Sequence, residues 1–392
     1  MKISRRQAIQ AVSAGALASQ VATAVQVPPA PKESAGTPKI AVGMTDGGAA
    51  NSDRSAAAQR VKQLGVDHVL SGGPPLLPWT DEVLTTLMAP WKAAGVQVSN
   101  LMINLSPDII YGKTGEKRDQ DIEKVKQSIM AAGRAGLPVV EYNFYAHRAM
   151  EGYFLEIDTA RGGSGWTGFD YEMVQTAAQQ YQTNPEEKGI RFKDLPPLPN
   201  EGAHKLDEMW SNITYFLKAV VPVAEKVNVR LALHPNDPPA PISRGSEQIM
   251  GTVAGWKKLI SIIDSPSNGI TFDCGVTREM GEDPVEVCRY FASRDRINHV
   301  HYRNVLVIKP YERYREVWID EGVNNMFAIM KELVKNKYSH LIYPEHPRRL
   351  NYDAERGPIP GYPGAGGYAA IAYNVGFARA MMQAVISQAA MS

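Results

Sequence analysis

The stretch GITFDCG, residues 269–275, is a short apolar run that ends in two potential metal ligands, Asp273 and Cys274. Runs of this length and composition are typical of a buried strand. Successive side chains of a strand point to opposite faces, so only one of the two ligands faces a given site. Ile270 and Phe272 share a face with Cys274, and we expect this apolar face to lie against helices. The alternation therefore predicts that Asp273 faces the site and that Cys274 packs as a small buried hydrophobe.

Seven further runs of the same kind alternate with longer amphipathic patterns that are typical of helices. The eight strand candidates are KIAVGMT (39–45), DHVLS (67–71), QVSNLMI (97–103), PVVEYNF (138–144), VRLALHP (229–235), GITFDCG (269–275), INHVHYR (297–303) and HLIYPEH (340–346). A last helical pattern, AAIAYNVGFARAMMQAV, follows them. Eight alternations without an internal break predict an α/β fold, the (β/α)₈ or TIM barrel. No Gly-x-Gly-x-x-Gly follows the first strand, which argues against a dinucleotide-binding sheet.

One long interruption separates the fourth and fifth strand candidates. Residues 145–203 are rich in Gly, Pro and Tyr and show no clear periodicity. Insertions of this length in a compact domain are usually functional. We therefore expect a functional loop that lies over the top of the barrel.

The composition is that of an ordinary soluble globular protein. The chain has 392 residues, of which 44% are hydrophobic and 21% charged, and its formal net charge is +1. Without a basic cluster, this balance gives no reason to expect a nucleic-acid partner. The only two cysteines, Cys274 and Cys288, do not make a disulfide framework.

The N-terminal segment differs from the rest of the chain. Residues 1–24 combine basic residues, including the adjacent Arg5 and Arg6, with a short, mildly apolar middle and small residues near the end. This pattern predicts a signal peptide of the twin-arginine type, too short and too weakly apolar for a stable membrane span. Residues 25–38 are Pro-rich and are predicted to be a linker, and residues 39–388 the barrel domain. The expected location is periplasmic or extracellular.

Polar side chains end four successive strand candidates in the second half of the chain. They are His234, Asp273, His301 and Glu345. In such barrels the functional residues lie at the carboxyl ends of the strands, where these four side chains are expected to converge. Two imidazoles and two carboxylates around one point are typical of a divalent-metal site.

Several motifs resemble the D-mannonate dehydratase family, over about residues 40–385. The most characteristic is LALHPNDPPAPI, and INHVHYRNV and VVEYNF resemble the family's His-Leu-Arg strand end and Tyr-Asn-Phe strand. YPEHP and GYPGAGGYAA occupy the places of its Asp-His-Gly and Pro-Gly-Tyr-Ser-Ala segments, in the family's order. The resemblance implies one divalent ion, usually manganese, and dehydration of D-mannonate to 2-keto-3-deoxygluconate. The substrate would then be a small sugar acid. Whether the chain forms a homo-oligomer stays open.

The resemblance also implies roles for individual residues. The family's ligands His, Cys, His and Asp match His234, Asp273, His301 and Glu345. Its catalytic pair matches His346 and Tyr368, and its substrate-facing positions match Arg303, Asn143 and Asp237. Because His346 alternates away from Glu345 along the strand, only a bend before Pro347 would turn it into the site.

The chain departs from the family at several positions. No thiolate is among the predicted ligands, so the donor set looks closer to the wider xylose-isomerase-like barrels; Mn²⁺ is expected, with Mg²⁺, Fe²⁺, Co²⁺ and Zn²⁺ also compatible. Asn236 stands where the family has an Asp, and Pro347 stands where it has a Gly. Arg315 replaces the His of the family's Phe-His-Glu motif. Two alternatives to the dehydratase therefore remain: a metal-dependent sugar isomerase or epimerase, and a non-catalytic exported sugar-binding barrel.

Overall fold

The computed structural model describes residues 33–45, 53–112, 115–156, 159–172, 190–356 and 366–391. The predicted signal peptide and the first part of the predicted linker lie outside these residues, as does the middle of the insertion. The strands are β1 (Lys39–Gly43), β2 (His68–Gly72), β3 (Gln97–Ile103), β4 (Val139–Tyr142), β5 (Tyr153–Glu156), β6 (Trp166–Asp170), β7 (Arg230–Leu233), β8 (Ile242–Ser243), β9 (Ser246–Glu247), β10 (Asn268–Asp273), β11 (Ile297–His301), β12 (Val305–Lys309), β13 (Arg313–Glu316) and β14 (Leu341–Tyr343). The α-helices are α1 (Arg54–Gln63), α2 (Asp81–Ala93), α3 (Pro107–Ile110), α4 (Glu116–Arg134), α5 (Leu206–Lys226), α6 (Val253–Ile262), α7 (Cys274–Glu279), α8 (Pro284–Ala292), α9 (Met326–Lys335), α10 (Asn351–Ala354) and α11 (Tyr368–Met391).

Eight parallel strands close into a barrel in the order β1-β14-β11-β10-β7-β4-β3-β2. Each of them overlaps one of the eight strand candidates, so the predicted TIM barrel is confirmed. The helices between them cover the outside of the barrel, and the apolar outer faces of the strands form one core with them. Burial of these faces is the main stabilising contribution to such a fold.

The pairing register brings polar strand ends to the same level. Asp273 of β10 pairs with His301 of β11, and His301 pairs with Tyr343 of β14. On the other side, Ile270 pairs with Leu233, so His234 follows directly at the end of β7. In parallel strands this register places the carboxyl ends of β7, β10, β11 and β14 side by side.

Side-chain caps fix where several of the outer helices begin. The Thr252 hydroxyl accepts a hydrogen bond from Gly255 N (3.0 Å) at the start of α6. Asn325 Oδ1 accepts one from Ala328 N (3.0 Å) at the start of α9. Such caps satisfy backbone donors that have no partner within the helix, and each typically stabilises the fold by about 1 kcal/mol.

A second sheet, which we call the cover sheet, has the antiparallel order β12-β13-β6-β5. Strands β5 and β6 come from the insertion, whereas β12 and β13 form a hairpin after barrel strand β11. The sheet has its own small core, in which Phe169 stacks on Tyr314 with ring centroids 5.5 Å apart. The sequence predicted a loop here and missed the hairpin, because the pairing of β13 with β6 joins segments far apart in the chain.

The helix α11 is long and apolar enough, from Tyr368 to Ala390, to cross a membrane by length and composition alone. One of its faces is buried and packs against α9 and β1. Core helices of soluble proteins share this composition. The contacts are those of an outer barrel helix.

Candidate active site

The four predicted ligands meet at the mouth of the barrel. His301 Nδ1 lies 3.3 Å from His234 Nε2, 3.5 Å from Asp273 Oδ2 and 2.9 Å from Glu345 Oε1. His234 Nδ1 is held by the Pro235 carbonyl at 2.7 Å, which leaves Nε2 to face the other three. We call these four residues the strand-end cluster.

Asp273 and Cys274 point to opposite faces of the strand end, as the alternation predicts. Asp273 is fully buried and its Oδ2 faces the strand-end cluster, while its Oδ1 accepts a hydrogen bond from Val276 N (2.8 Å) and caps α7. Cys274 is also fully buried but packs in the apolar core with Ile270 and Phe272. Burial raises the pKa of the Cys274 thiol well above its ordinary value, so this side chain is a buried apolar group and not a thiolate.

His346 turns inward at a bend in the backbone. Its φ of +48° lies in the left-handed region, which a non-glycine residue adopts only where surrounding contacts hold it. The fully buried Arg348 supplies such contacts, since its Nε and Nη2 both donate to the His346 carbonyl, at 2.8 and 2.6 Å. The bend places His346 Nε2 3.4 Å from Glu345 Oε2.

A second group of ligand-type side chains lies next to the first. His346 Nδ1 is 2.9 Å from Glu316 Oε1, at the end of β13 in the cover sheet. Asp237, in the loop after β7, brings its carboxylate to within 4.8 Å of both. Tyr153, also from the cover sheet, donates a hydrogen bond of 2.6 Å to Asp237 Oδ1. We call Asp237, Glu316 and His346 the rim cluster.

Arg303 lies between the two clusters and is almost fully buried. Its guanidinium has a carboxylate oxygen within 3.5 Å on every side, from Asp273 (3.0 Å), Glu279 (2.8 Å), Asp237 (3.4 Å), Glu345 (3.3 Å) and Glu316 (3.5 Å). The sequence predicted that Arg303 binds a substrate carboxylate. In the structure its guanidinium contacts protein carboxylates of both clusters, and the predicted contact with a substrate carboxylate stays a prediction.

Arg303 also determines charge states around it. Burial alone would raise the pKa of the Asp273 carboxyl, but Arg303 and the neighbouring His301 outweigh it and hold that pKa below its usual range. For Glu279 the balance is reversed, because burial raises the pKa of its carboxyl well above the ordinary value despite the contact with Arg303. Asp273 is therefore ionised and available as a ligand.

The donor set fits a divalent cation. Among the described residues, the buried carboxyl groups at and just below this mouth outnumber the guanidinium groups of Arg303 and Arg348 that contact them, even when Glu279 with its raised pKa is counted as neutral. The acidic residues are Glu141, Asp237, Asp273, Glu279, Glu316 and Glu345. Buried charge of one sign is costly unless it is compensated. Glu345 Oε1 is buried and makes no hydrogen bond of normal geometry with the described residues. Imidazole nitrogens and carboxylate oxygens suit a divalent ion of the Mn²⁺ type, and an ion would relieve this imbalance.

The remaining predicted site residues are placed differently. Asn143 is half-buried and its Nδ2 donates to Met102 Sδ at 3.3 Å, near the mouth but outside both clusters. That Tyr368 belongs to a catalytic pair stays a prediction, since the described structure places this residue away from both clusters. Its hydroxyl donates to the Arg60 carbonyl of α1 at 2.9 Å, because α11 begins on the outside of the barrel with this side chain directed at a neighbouring helix.

Sequence reasoning missed four acidic or basic residues of this mouth, namely Glu141, Glu279, Glu316 and Arg348. Glu141 could have been recognised from the sequence, because it is a charged residue in the middle of an apolar strand and lies on the same inward face as Asn143, two residues later. No local feature of the sequence places Glu316 and Arg348 at the mouth, because their positions depend on the cover sheet and on the bend at His346.

Comparisons with known proteins identify a family that this chain resembles along most of its length. A family model described as D-mannonate dehydratase (UxuA) matches residues 51–388. The mannonate dehydratase of Streptococcus equi subsp. zooepidemicus is 30% identical over 290 residues, which cover 72% of this chain and 78% of that protein. That of Thermotoga maritima is 28% identical over 318 residues, which cover 72% of this chain and 81% of that protein.

Solved structures share the fold. The mannonate dehydratase of Streptococcus suis serotype 2 superposes with a TM-score of 0.71 at 24% identity, covering 90% of this chain and 96% of that one. A D-psicose 3-epimerase from Clostridium cellulolyticum has a TM-score of 0.55 at 12% identity, covering 88% and 99%. The match of a family model to most of the chain, together with a 30% identical relative, shows that this protein belongs to the D-mannonate dehydratase family.

Proposed function

We propose that this protein is a metal-dependent sugar-acid dehydratase that converts D-mannonate to 2-keto-3-deoxy-D-gluconate and water. The observation that carries the proposal is the adjacency of the two clusters. The strand-end cluster supplies imidazole and carboxylate donors from four strand ends. Next to it lies His346, which is oriented by Glu316 and whose Nε2 is 3.4 Å from Glu345 Oε2. A lyase of this type needs both a cation site and a group that moves protons.

The residues that would hold the ion are His234, Asp273, His301 and Glu345. An ion held by these residues would supply Lewis-acid chemistry, which would acidify the proton on the carbon next to the substrate's carboxylate. We propose that the ion is Mn²⁺. Nitrogen and oxygen donors without a thiolate suit Mn²⁺ better than they suit a structural zinc ion, which prefers closed Cys/His sites. Arg303 Nε contacts two of these ligands, Asp273 Oδ2 at 3.0 Å and Glu345 Oε1 at 3.3 Å.

His346 is our candidate for the group that exchanges protons with the substrate. Glu316 Oε1 holds its Nδ1 at 2.9 Å, so Nε2 is the nitrogen that faces the strand-end cluster. A carboxylate behind an imidazole fixes the tautomer and stabilises the imidazolium that forms when the base takes a proton. Glu316 is itself fixed by Arg348 Nη2 at 3.2 Å.

In the proposed reaction, His346 both accepts the proton from carbon and returns it to the leaving hydroxyl. Neutral His346 takes the carbon-bound proton at Nε2, and the electron pair left on that carbon forms the new double bond as the neighbouring C–O bond breaks. The imidazolium then returns the proton to the departing hydroxyl, which leaves as water. The enol so formed rearranges to the keto acid. His346 is regenerated in its starting state.

Incubation of the purified protein with D-mannonate and Mn²⁺, followed by detection of the 2-keto-3-deoxy acid, tests the proposal. Formation of this acid, lost on chelation and restored by Mn²⁺, is the expected result. Exchange of the substrate's carbon-bound proton with solvent without loss of water would identify an isomerase or epimerase instead. Binding of sugars without exchange or dehydration would identify a non-catalytic barrel.

We also propose that the chain is exported through the twin-arginine route. The support is the pair Arg5 and Arg6 ahead of the mildly apolar segment of residues 1–24. Expression of the full chain and of an Arg5→Lys, Arg6→Lys variant, followed by fractionation, tests this. The native chain should appear outside the cytoplasm and the variant should stay inside, whereas equal distributions would contradict the proposal.

A further inference from the structure

A buried carboxylate lies inside the barrel, one step below the strand-end cluster. Glu141 of β4 is almost fully buried. Its Oε2 accepts a hydrogen bond from Asn100 Nδ2 of β3 at 2.8 Å, and its Oε1 accepts one from the Thr271 hydroxyl of β10 at 2.7 Å. Because the two donors stand on different strands, the orientation of the Glu141 carboxylate is fixed.

His301 stands between this carboxylate and the strand-end cluster. Its Nδ1 faces His234, Asp273 and Glu345 at 3.3, 3.5 and 2.9 Å. Its Nε2 points the other way, 3.8 Å from Glu141 Oε1, and is buried with no hydrogen bond among the described residues. The two ring nitrogens therefore have different surroundings, with the donor cluster on one side and a single fixed anion on the other.

We propose that Glu141 is a positioning residue that acts through His301. It holds the proton of the imidazole on Nε2, so that Nδ1 stays unprotonated and turned toward the ion. A histidine that binds a metal commonly gives its other N–H to a carboxylate, which fixes the ring and increases the basicity of the ligating nitrogen. This inference rests on the metal site of the proposed function and adds a residue outside its ligand set.

Two other roles for Glu141 predict different behaviour. His299, whose ring lies 4.9 Å from that of His301, is fully buried and both its nitrogens lack a hydrogen bond among the described residues. Glu141 could simply compensate a charge on His299, which would make its role structural. Alternatively, Glu141, His299 and His301, which bring ligand atoms within 4.8 Å of one another, could bind a second ion.

Titration of metal-free protein with Mn²⁺ by calorimetry separates these roles without any substrate. Glu141→Gln keeps the size of the side chain and removes its charge. We expect one ion per chain and a rise in Kd of about 10–100-fold. The thermal unfolding midpoint of the metal-free variant should change little, because the glutamine amide can still hydrogen-bond to Asn100 and Thr271 and no ion is present for Glu141 to act on. The matched control is Glu332→Gln, a buried carboxylate on α9 that pairs with Arg289 at 3.1 Å, and its Kd should stay within twofold of the native value.

Thr271→Val serves as a second variant if Glu141→Gln does not fold. It removes only the hydroxyl that orients Glu141 Oε1, and Kd should rise in the same direction but by less, about 2–10-fold. A Kd within twofold of native in the folded variants would overturn the proposal. So would a fall in the metal-free unfolding midpoint without a change in Kd, or two ions per native chain of which one is lost in Glu141→Gln.

The outcome is distinguishable from failure of the proposed function. Native protein that binds one Mn²⁺ but dehydrates no sugar acid would refute the dehydratase while leaving the role of Glu141 intact. Native protein that binds no divalent ion at all would overturn the role of Glu141 together with the metal site.

Discussion

The strand-end cluster and the rim cluster use different means to bring ligand-type residues together. The strand-end cluster is built by the barrel itself, since the pairing register sets Asp273 beside His301 and the strand order places their neighbours. The rim cluster is assembled from a loop, a bend and the cover sheet, and His346 and Glu316 meet only because these parts pack on one another. Regular pairing positions the donors for a cation, whereas irregular tertiary contacts position the group that would move protons.

This difference has a functional consequence. Donors on adjacent strands are held by a hydrogen-bonded ladder and change position little. A histidine on a strained bend depends on Arg348 and Glu316 and is more easily displaced. We therefore expect substitutions in the strand-end cluster to abolish metal binding, and substitutions in the rim cluster to reduce turnover while the metal stays bound.

The largest effect is expected for Asp273→Ala. The change removes an anionic donor and leaves Arg303 with less compensation, so Mn²⁺ affinity should be largely lost and activity should fall by about 10³-fold or more. Calorimetric titration and the dehydration assay measure the two effects. Cys274→Ala, one residue further on, is the control and should retain metal and activity, with a loss of about 1 kcal/mol of stability from the core. Loss of metal from the Cys274 variant and not from the Asp273 variant would reverse the assignment.

His346→Gln should separate the two clusters. Removal of the group proposed to exchange protons should lower kcat by about 10²–10⁴-fold, while the Mn²⁺ Kd stays near the native value. His340→Gln is a matched control, because His340 directly precedes β14 whereas His346 lies beyond the other end of that strand. Activity of that variant should be close to native. A large loss of metal affinity in His346→Gln would mean that the rim cluster belongs to the cation site.

A smaller effect is expected for Glu316→Gln. The glutamine amide can still hydrogen-bond to the imidazole of His346, but the anion that stabilises the protonated imidazole is lost, so kcat should fall by about 10–100-fold with little change in KM. Glu312→Gln, in the same hairpin but paired with Lys309 at the surface, should leave kcat unchanged. Equal losses in both variants would point to damage of the hairpin and not to a role at His346.

The strands and the strand-end cluster could be predicted from the sequence because both follow from local rules. The segment QVSNLMI was predicted as a strand over residues 97–103, and β3 has these bounds. Alternation within GITFDCG was enough to send Asp273 inward and Cys274 into the core. Strand order in the barrel then brings strand ends together without further information.

The rim cluster and the cover sheet could not be predicted because they depend on non-local contacts. Strand β13 is only RYRE, and its pairing with β6 joins residues 313–316 to residues 167–170. Nothing local to Glu316 identifies His346 as its neighbour. The bend at His346 was recognised as a requirement, but the Arg348 contacts that hold it depend on the folded chain.

The smallest effect is expected for Tyr368→Phe, which tests the limit of carrying a family pattern onto a single position. The Tyr368 hydroxyl bonds to the Arg60 carbonyl on the outside of the barrel, so its removal should change kcat and KM less than about twofold. One partly exposed hydrogen bond contributes about 0.5–1 kcal/mol, which thermal unfolding would register as a small loss of stability. His346→Gln, assayed in parallel, shows the effect of removing the group proposed to exchange protons with the substrate. If Tyr368→Phe instead lowered kcat as much as His346→Gln does, the start of α11 would have to move into the barrel mouth when substrate binds. The comparison would then involve three regions, because a helix end would join the strand ends and the cover sheet in building the site.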